Sequence, residues 1–326
     1  MADFRILVIR LSSMGDVIHT LPAAASLKHS FPRSSLSWVV RPQWAALLEG
    51  NPFVDCIVPM ERNLGATLQA MRALRRDTFD LVVDFQALAQ SAVIAGVVRS
   101  HKKVGLHRSQ ARESIASLFY SSAVLTHSAH RVERNLELAA AAGATSLLRV
   151  FPLPCGRPEG TLPEGPFVLA SPGAGWGSKQ WPTEYYAEVA RGLDMPLVMN
   201  GPPSAAEALA RIAGVHVHIS GVAGLVDATR RATAVIGVDS GPLHLAAALS
   251  KPGVAIYGPT DPAIHGPYGG SIHVIRTPNA VTDYKRRSEE DESMRAIGPA
   301  VVLQALEAAL EALHSPAKTG AAGSPA

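Results

Sequence analysis

Two successive series of short, apolar, β-branched-rich segments, each alternating with helix-length stretches, constrain this 326-residue chain more than any other feature. The first series places strands at 4–9, 36–40, 56–59, 81–85, 103–106 and 123–126, with helices predicted at 17–27, 64–76, 87–98 and 133–142. The second places strands at 167–170, 196–199, 215–219, 234–238, 254–257 and 272–275, with helices at 183–192, 204–213, 222–232 and 244–249. Between them, 152–166 is dense in Pro and Gly and has no periodicity, which reads as a linker. Strand–helix–strand repetition of this kind predicts an α/β fold of two doubly wound parallel sheets facing each other. The cleft then lies between them, at the carboxyl ends of both sets of strands. An amphipathic helix at 301–313 closes the chain, and 315–326 reads as a disordered tail.

Charge and cysteine content exclude several classes. The two cysteines, Cys56 and Cys155, are far apart and lack CxxC spacing, which excludes a disulfide framework or a cysteine zinc site and suits a reducing compartment. The N-terminal apolar run is too short and too interrupted by Arg5 and Arg10 for a signal peptide. No run approaches the ~20 apolar residues of a membrane span, so the expected location is the cytoplasm. Net charge is +3 but uneven: residues 1–155 carry 17 Lys and Arg against 11 Asp and Glu, and the remainder 13 against 16. The basic first half implies an anionic partner there, a phosphorylated ligand or a membrane surface. Without an aromatic-interleaved basic stripe, nucleic acid is not expected.

Chemistry concentrates where predicted strands end. Arg10-Leu-Ser-Ser-Met-Gly15-Asp16 follows the first strand, so Asp16 stands at a helix start, as a cap or as a reactive carboxylate. Pro22 is expected to kink or offset that helix. In the second half, Ser171-Pro-Gly173-Ala-Gly-Trp-Gly-Ser-Lys179 is a glycine-rich turn able to bring N–H groups and one ammonium close to a phosphate. It matches neither the Walker A nor the GxGxxG pattern. Asn200 to Glu207 is another strand-to-helix turn, with Glu207 either a ribose acceptor or an ordinary first-turn acid. Asp239-Ser240-Gly241 leads into a helix whose N-terminus forms an anion site, and Asp239 suits sugar hydroxyls better than phosphate. His244 reads as a packing, supporting or phosphate-binding group. Asp84-Phe85-Gln86 ends a first-half strand at the same cleft, and Arg62, Lys102, Lys103, His107, Arg108, Arg112 and Arg131 are spaced to surround an anionic acceptor. No cluster has metal-ligand spacing and no GxSxG elbow occurs.

Together RLSSMGDVIHTLPA (10–23), DFQ (84–86), SKQWP (178–182), GVDSGPLHLAAAL (237–249) and YGPTDP (257–262) resemble the ADP-heptose:lipopolysaccharide heptosyltransferases, glycosyltransferase family 9, of GT-B fold. Within it, SSMGDVIHTLP, DFQ, HRSQARESIASLFY (107–120) and HRVERNLEL (130–138) look most like the heptosyltransferase I branch, which adds the first heptose to the Kdo of Kdo2-lipid A. The loop SPGAGWGSKQWP looks closer to heptosyltransferase II, so an acceptor of that kind is the alternative. The resemblance implies an inverting displacement without metal or other cofactor, ADP-heptose being the donor substrate. Asp16 would be the general base, and Lys179, Ser240 and Gly241 would bind the donor diphosphate. Asp239 and Glu207 would hold heptose and ribose hydroxyls, with Gly15, Gly173 and His244 supporting. Arg62, Gln86 and Arg112 would meet the acceptor. Residues 1–155 would form the acceptor domain and 156–314 the ADP-heptose domain, with peripheral contact at the inner membrane. A rival from another class is a dinucleotide-dependent oxidoreductase; SSMGD, with its single glycine, argues against it.

Overall fold

The computed structural model of the chain describes residues 4–314. Within them, β1 (Phe4–Ile9), β2 (Ser34–Val40), β3 (Cys56–Pro59), β4 (Thr78–Asp84), β5 (Arg99–Leu106) and β6 (Ser122–Val124) form one parallel sheet in the order β3-β2-β1-β4-β5-β6. A second parallel sheet contains β7 (Val168–Ser171), β8 (Leu197–Gly201), β9 (His216–Ile219), β10 (Ala234–Val238), β11 (Gly253–Tyr257) and β12 (Ile272–Arg276), in the order β12-β11-β10-β7-β8-β9. Counted from its own first strand, each sheet has the same doubly wound order, and its chain direction reverses between its first and fourth strands. The helices are α1 (Met14–Ser30), α2 (Leu64–Arg76), α3 (Ala89–Val97), α4 (Arg131–Ala142), α5 (Thr183–Gly192), α6 (Ala206–Ala210), α7 (Val222–Arg231), α8 (Gly241–Ala248), α9 (Pro262–His265), α10 (Glu292–Arg295) and α11 (Pro299–His314).

The central strands are apolar without alternation because helices cover both faces. Ile6 to Ile9 are wholly buried, as are the strands β7, β10 and β11. Strand β5 starts four residues before its predicted segment because its first half, Arg99 to Lys102, is polar and solvent-facing; only its last three residues are buried. The helix expected at 204–213 is cut to a 3-10 turn (Pro203–Ala205) and the short α6. Pro22 does not divide α1, which runs unbroken for 17 residues. Every residue from Val17 to Leu27 is buried, and that tertiary burial outweighs the one lost backbone hydrogen bond. The predicted tail, 315–326, lies outside the described residues.

The two halves touch through α1. Its outer turns pack on α4, and its N-terminal turn meets the N-terminal turn of α8. Two glycines make that approach possible: a Cβ on Gly15 would lie 2.5 Å from the His244 ring, and one on Gly241 would lie 2.6 Å from Met14 Cβ. Around this contact one apolar core is continuous from Met14, Val17 and Ile18 to Leu243 and Leu245. Further clasps join α4 to the loop after α9: His130 pairs with the Gly266 carbonyl at 3.1 Å, and the Tyr268 hydroxyl donates to Glu133. The segment 152–166 has no regular secondary structure but is not free. Asn51 donates to the Pro152 carbonyl and Arg230 to those of Leu153 and Pro154, each at 2.9 Å, so it is pinned to both halves.

Candidate active site

The register levels the ends of the strands on either side of each reversal point: Ile9 lies beside Asp84, and Gly237 beside Ser171. The loops leaving those strands diverge above the gap, which is where an open α/β sheet binds ligands. In both sheets a charged side chain spans that gap.

In the first sheet the bridge is Arg10. This residue ends the apolar run of β1 and is 5% exposed, so its charge needs partners. Its Nη1 donates to the Phe85 carbonyl at the end of β4, and its Nη2 pairs with Asp16 Oδ1 at 2.6 Å. The other Asp16 oxygen accepts from the Ser13 N–H and hydroxyl, both at 3.0 Å, as a first-turn cap does. Asp16 is therefore a helix cap, and the same group is the carboxylate expected from the sequence to be reactive. Burial by itself would raise the Asp16 pKa, but Arg10, the Ser13 N–H, Arg131 and His19 outweigh it and hold the carboxyl well below the usual range. Asp16 stays ionised, and its side chain keeps 30% exposure toward the cleft.

A second layer sets this turn. Asp84, fully buried, accepts from the Gln86 and Ala87 N–H groups at 2.8 and 3.2 Å and from the Tyr120 hydroxyl at 2.7 Å. Burial raises its pKa and those donors only partly offset the rise. The tightened turn aims Gln86 back, and its Oε1 accepts from the Leu11 and Ser12 N–H groups at 3.0 and 3.3 Å. Asp84 thus acts through the turn and never faces the cleft, although its place in DFQ suggested that it would.

In the second sheet Lys179, on the loop after β7, pairs with Asp239 at the end of β10. Its Nζ also lies 4.0 Å from the centre of the Trp176 ring. Burial again opposes ionisation of Asp239, but His244 and Lys179 pull its pKa well below the usual range. His244 is 3.7 Å from the other Asp239 oxygen and packs edge-on against His19, ring centres 4.3 Å apart. The Ser240 hydroxyl at the α8 N-terminus, the Ser178 hydroxyl and the Thr260 hydroxyl are buried without a partner. A buried hydroxyl without a partner has hydrogen-bonding capacity to spare for a ligand. His265 has its pKa pushed down to about 4 by burial and Arg131, with the charges of Asp239, Asp16 and Lys179 also acting on it.

The structure therefore brings together Asp16, Gly15, His244, Asp239, Lys179, Ser240 and Gly241. Gly173 lies in the same loop as Lys179 with open space around it. Arg112 is exposed beside Arg131, whose charge reaches Asp16, and Arg62 is exposed beside Arg41. Glu207 stands apart, its side chain 84% exposed and paired with Arg211 one turn on. Arg10, His19 and Trp176 complete the cluster unforeseen, and Arg131, expected only among the cations around the acceptor, acts on Asp16. An arginine closing a buried strand was the available signal for the first; the others depend on which helices meet. Among the described residues no His, Cys, Asp and Glu group could hold a metal ion, and no helix is long and apolar enough to cross a membrane.

Two doubly wound parallel sheets of six strands each, with the turn of Asp16 on one half meeting the α8 N-terminus of the other, have the architecture of the GT-B glycosyltransferases. The chain belongs to glycosyltransferase family 9 (heptosyltransferase), whose family model matches residues 67–294. It is 33% identical over 303 residues to lipopolysaccharide heptosyltransferase 1 of Pseudomonas aeruginosa, covering 83% of each chain. Its fold is similar to that of the Escherichia coli heptosyltransferase WaaC with ADP-2-deoxy-2-fluoro heptose, with TM-score 0.74, 27% identity, and coverage of 92% of this chain and 98% of that one. A Veillonella parvula family 9 glycosyltransferase shares the fold at TM-score 0.80 and 19% identity, over 97% and 99% of the two chains. Family membership displaces the oxidoreductase reading.

Proposed function

We propose that this enzyme transfers a heptose from ADP-heptose to the Kdo of Kdo2-lipid A, by a single inverting displacement without a metal. The observation that carries the reading is the close approach of the turn bearing Asp16 to the α8 N-terminus, where Ser240 and the Lys179–Asp239 pair lie. The names of the relatives support heptose and lipopolysaccharide as the substrate class. Residues 1–155 form the acceptor side and 156–314 the donor side.

In this reading Asp16 accepts the proton of the attacking hydroxyl. Its depressed pKa makes it a weak base at rest, so proton transfer comes late, once the acceptor oxygen has begun to bond and turned acidic. Asp239 holds heptose hydroxyls, and Lys179 with the Ser240 hydroxyl and the Gly241 N–H stabilises the departing diphosphate. Gly173 lets that loop approach the phosphates, while Gly15 and His244 keep α1 and α8 at working distance. Glu207 reaches ribose only by releasing Arg211. Arg112 and Arg62 meet the acceptor's carboxylates and phosphates; Gln86, its oxygen committed to the Asp16 turn, has its amide N–H groups left for the acceptor. Exposed Leu64 and Leu68, and Ile115 and Leu118, flank these arginines and suit peripheral contact with the cytoplasmic face of the inner membrane.

The test is ADP release from ADP-heptose, with and without Kdo2-lipid A, in EDTA. Acceptor-dependent release that survives the chelator is expected. Release only with a heptosylated acceptor would reassign the enzyme to the second transfer, and failure to bind the donor would sink the reading.

A further inference from the structure

Lys179 alone does not neutralise a departing nucleoside diphosphate here, because its ammonium is already paired with Asp239. The diphosphate gains a further negative charge as the glycosidic bond breaks, so a site without a metal needs another cation. The segment 283–287 supplies one. The Asp283 N–H donates to the Pro259 carbonyl after β11 at 2.8 Å, and the Arg287 carbonyl accepts from the Ser178 N–H after β7 at 3.2 Å. Strands β11 and β7 flank β10. A strap fixed at those two points crosses above the end of β10, where Asp239 and Ser240 lie. At its other end it abuts the loop closely, since a Cβ on Gly177 would overlap Ser288.

Within this strap Arg287 is spent on Asp283 and Asp291. Arg286 pairs with no carboxylate among the described residues; its guanidinium carbon sits 5.4 Å from the centre of the Trp176 ring, the same ring that carries Lys179 at 4.0 Å. One indole thus holds two cations; the unpartnered Ser178 hydroxyl lies two residues on, and those of Ser240 and Thr260 follow Asp239 and Pro259, the partners of Lys179 and of the strap. We infer that Arg286 is a second cation for the donor's diphosphate, held ready on Trp176, and that it replaces the charge Lys179 loses to Asp239. The inference rests on the donor being a nucleoside diphosphate sugar, as proposed above. Arg286 binds the phosphate oxygens bidentately while the Trp176 face keeps its guanidinium plane oriented.

Calorimetric titration with ADP and with AMP tests this without turnover or acceptor. Arg286→Ala is expected to weaken ADP about 10- to 100-fold, the loss typical of a charge-assisted pair, and AMP far less. Arg286→Lys, which keeps the charge and loses the bidentate fork, is expected to recover only part of the ADP affinity, and the neighbouring Lys285→Ala to leave it within about 2-fold. Arg286 is exposed, and a thermal melt checks that each variant folds. Unchanged ADP affinity in Arg286→Ala, or an equal loss in Lys285→Ala, would overturn the assignment while leaving the donor reading intact. Failure of the wild-type protein to bind ADP would overturn both.

Discussion

Asp16 and Asp239 show how the protein keeps two carboxylates ionised in a half-buried cleft. Each has one cation within ion-pair reach, Arg10 or Lys179, and a histidine nearby. Replacing Asp16 with Asn keeps the size and loses the proton acceptor. Turnover is expected to fall about 10²–10⁴-fold with ADP-heptose affinity retained, and wild-type turnover in a steady-state assay would remove Asp16 from the base role. The histidines give a separate signature. Burial and Arg131 lower His265 from 6.5 to about 4, and burial likewise lowers His19 and His130. An imidazole with a lower pKa in the folded chain binds protons more readily when unfolded. Stability is therefore expected to fall as pH drops below about 6.5 toward about 4. Melting temperatures across that window should decline more steeply for the wild type than for His265→Gln. Asp16 and Asp239 work at lower pH: their depressed pKa values add stability above the ordinary carboxylate range, lost only as pH falls further.

At the scale of elements, the reactive turn is shaped from behind. Tyr120, seated against Gly105, which has no side chain to obstruct its ring, donates to Asp84; Asp84 holds Gln86, and Gln86 holds Leu11 and Ser12. Tyr120→Phe leaves a buried carboxylate short of a donor and is expected to cost about 1–3 kcal/mol, read by urea denaturation, with turnover falling through misplacement of Asp16. The α1–α8 contact depends on two absent side chains. Gly241→Ala drives a methyl into Met14 and is expected to cost about 1–3 kcal/mol; an unchanged melting temperature would show that the helices part readily. The motif around Asp16 was legible because residue types at a strand end announce themselves. The anchoring of Arg10 on the Phe85 carbonyl and the hold of Gln86 on Leu11 were not, because both join loops some 75 residues apart that meet at one sheet edge.

At the scale of the molecule, α4 and the loop after α9 clasp the halves through Tyr268, Glu133, His130 and Gly266. Tyr268→Phe weakens that clasp without touching the site. If the clasped form is the one that binds donor, KM for ADP-heptose should rise about 3- to 10-fold with kcat nearly unchanged, as a smaller competent population requires. A fall in kcat alone would show that closure is not what Tyr268 governs.

The pattern of apolar runs and helices determined both sheets, because parallel strands covered on two faces must be short and continuously apolar, and that pattern is local. It also located the strand ends where chemistry sits. Only the tertiary structure decided which charges pair. Arg10 takes Asp16, Lys179 takes Asp239, Glu207 turns to Arg211, and Trp176 carries two cations. A charge is satisfied by whatever lies within a few ångströms; for Asp16 and Glu207 that is a partner six and four residues away, whereas the reach of Lys179 to Asp239 and of Arg286 to Trp176 is set by packing between segments far apart in the chain.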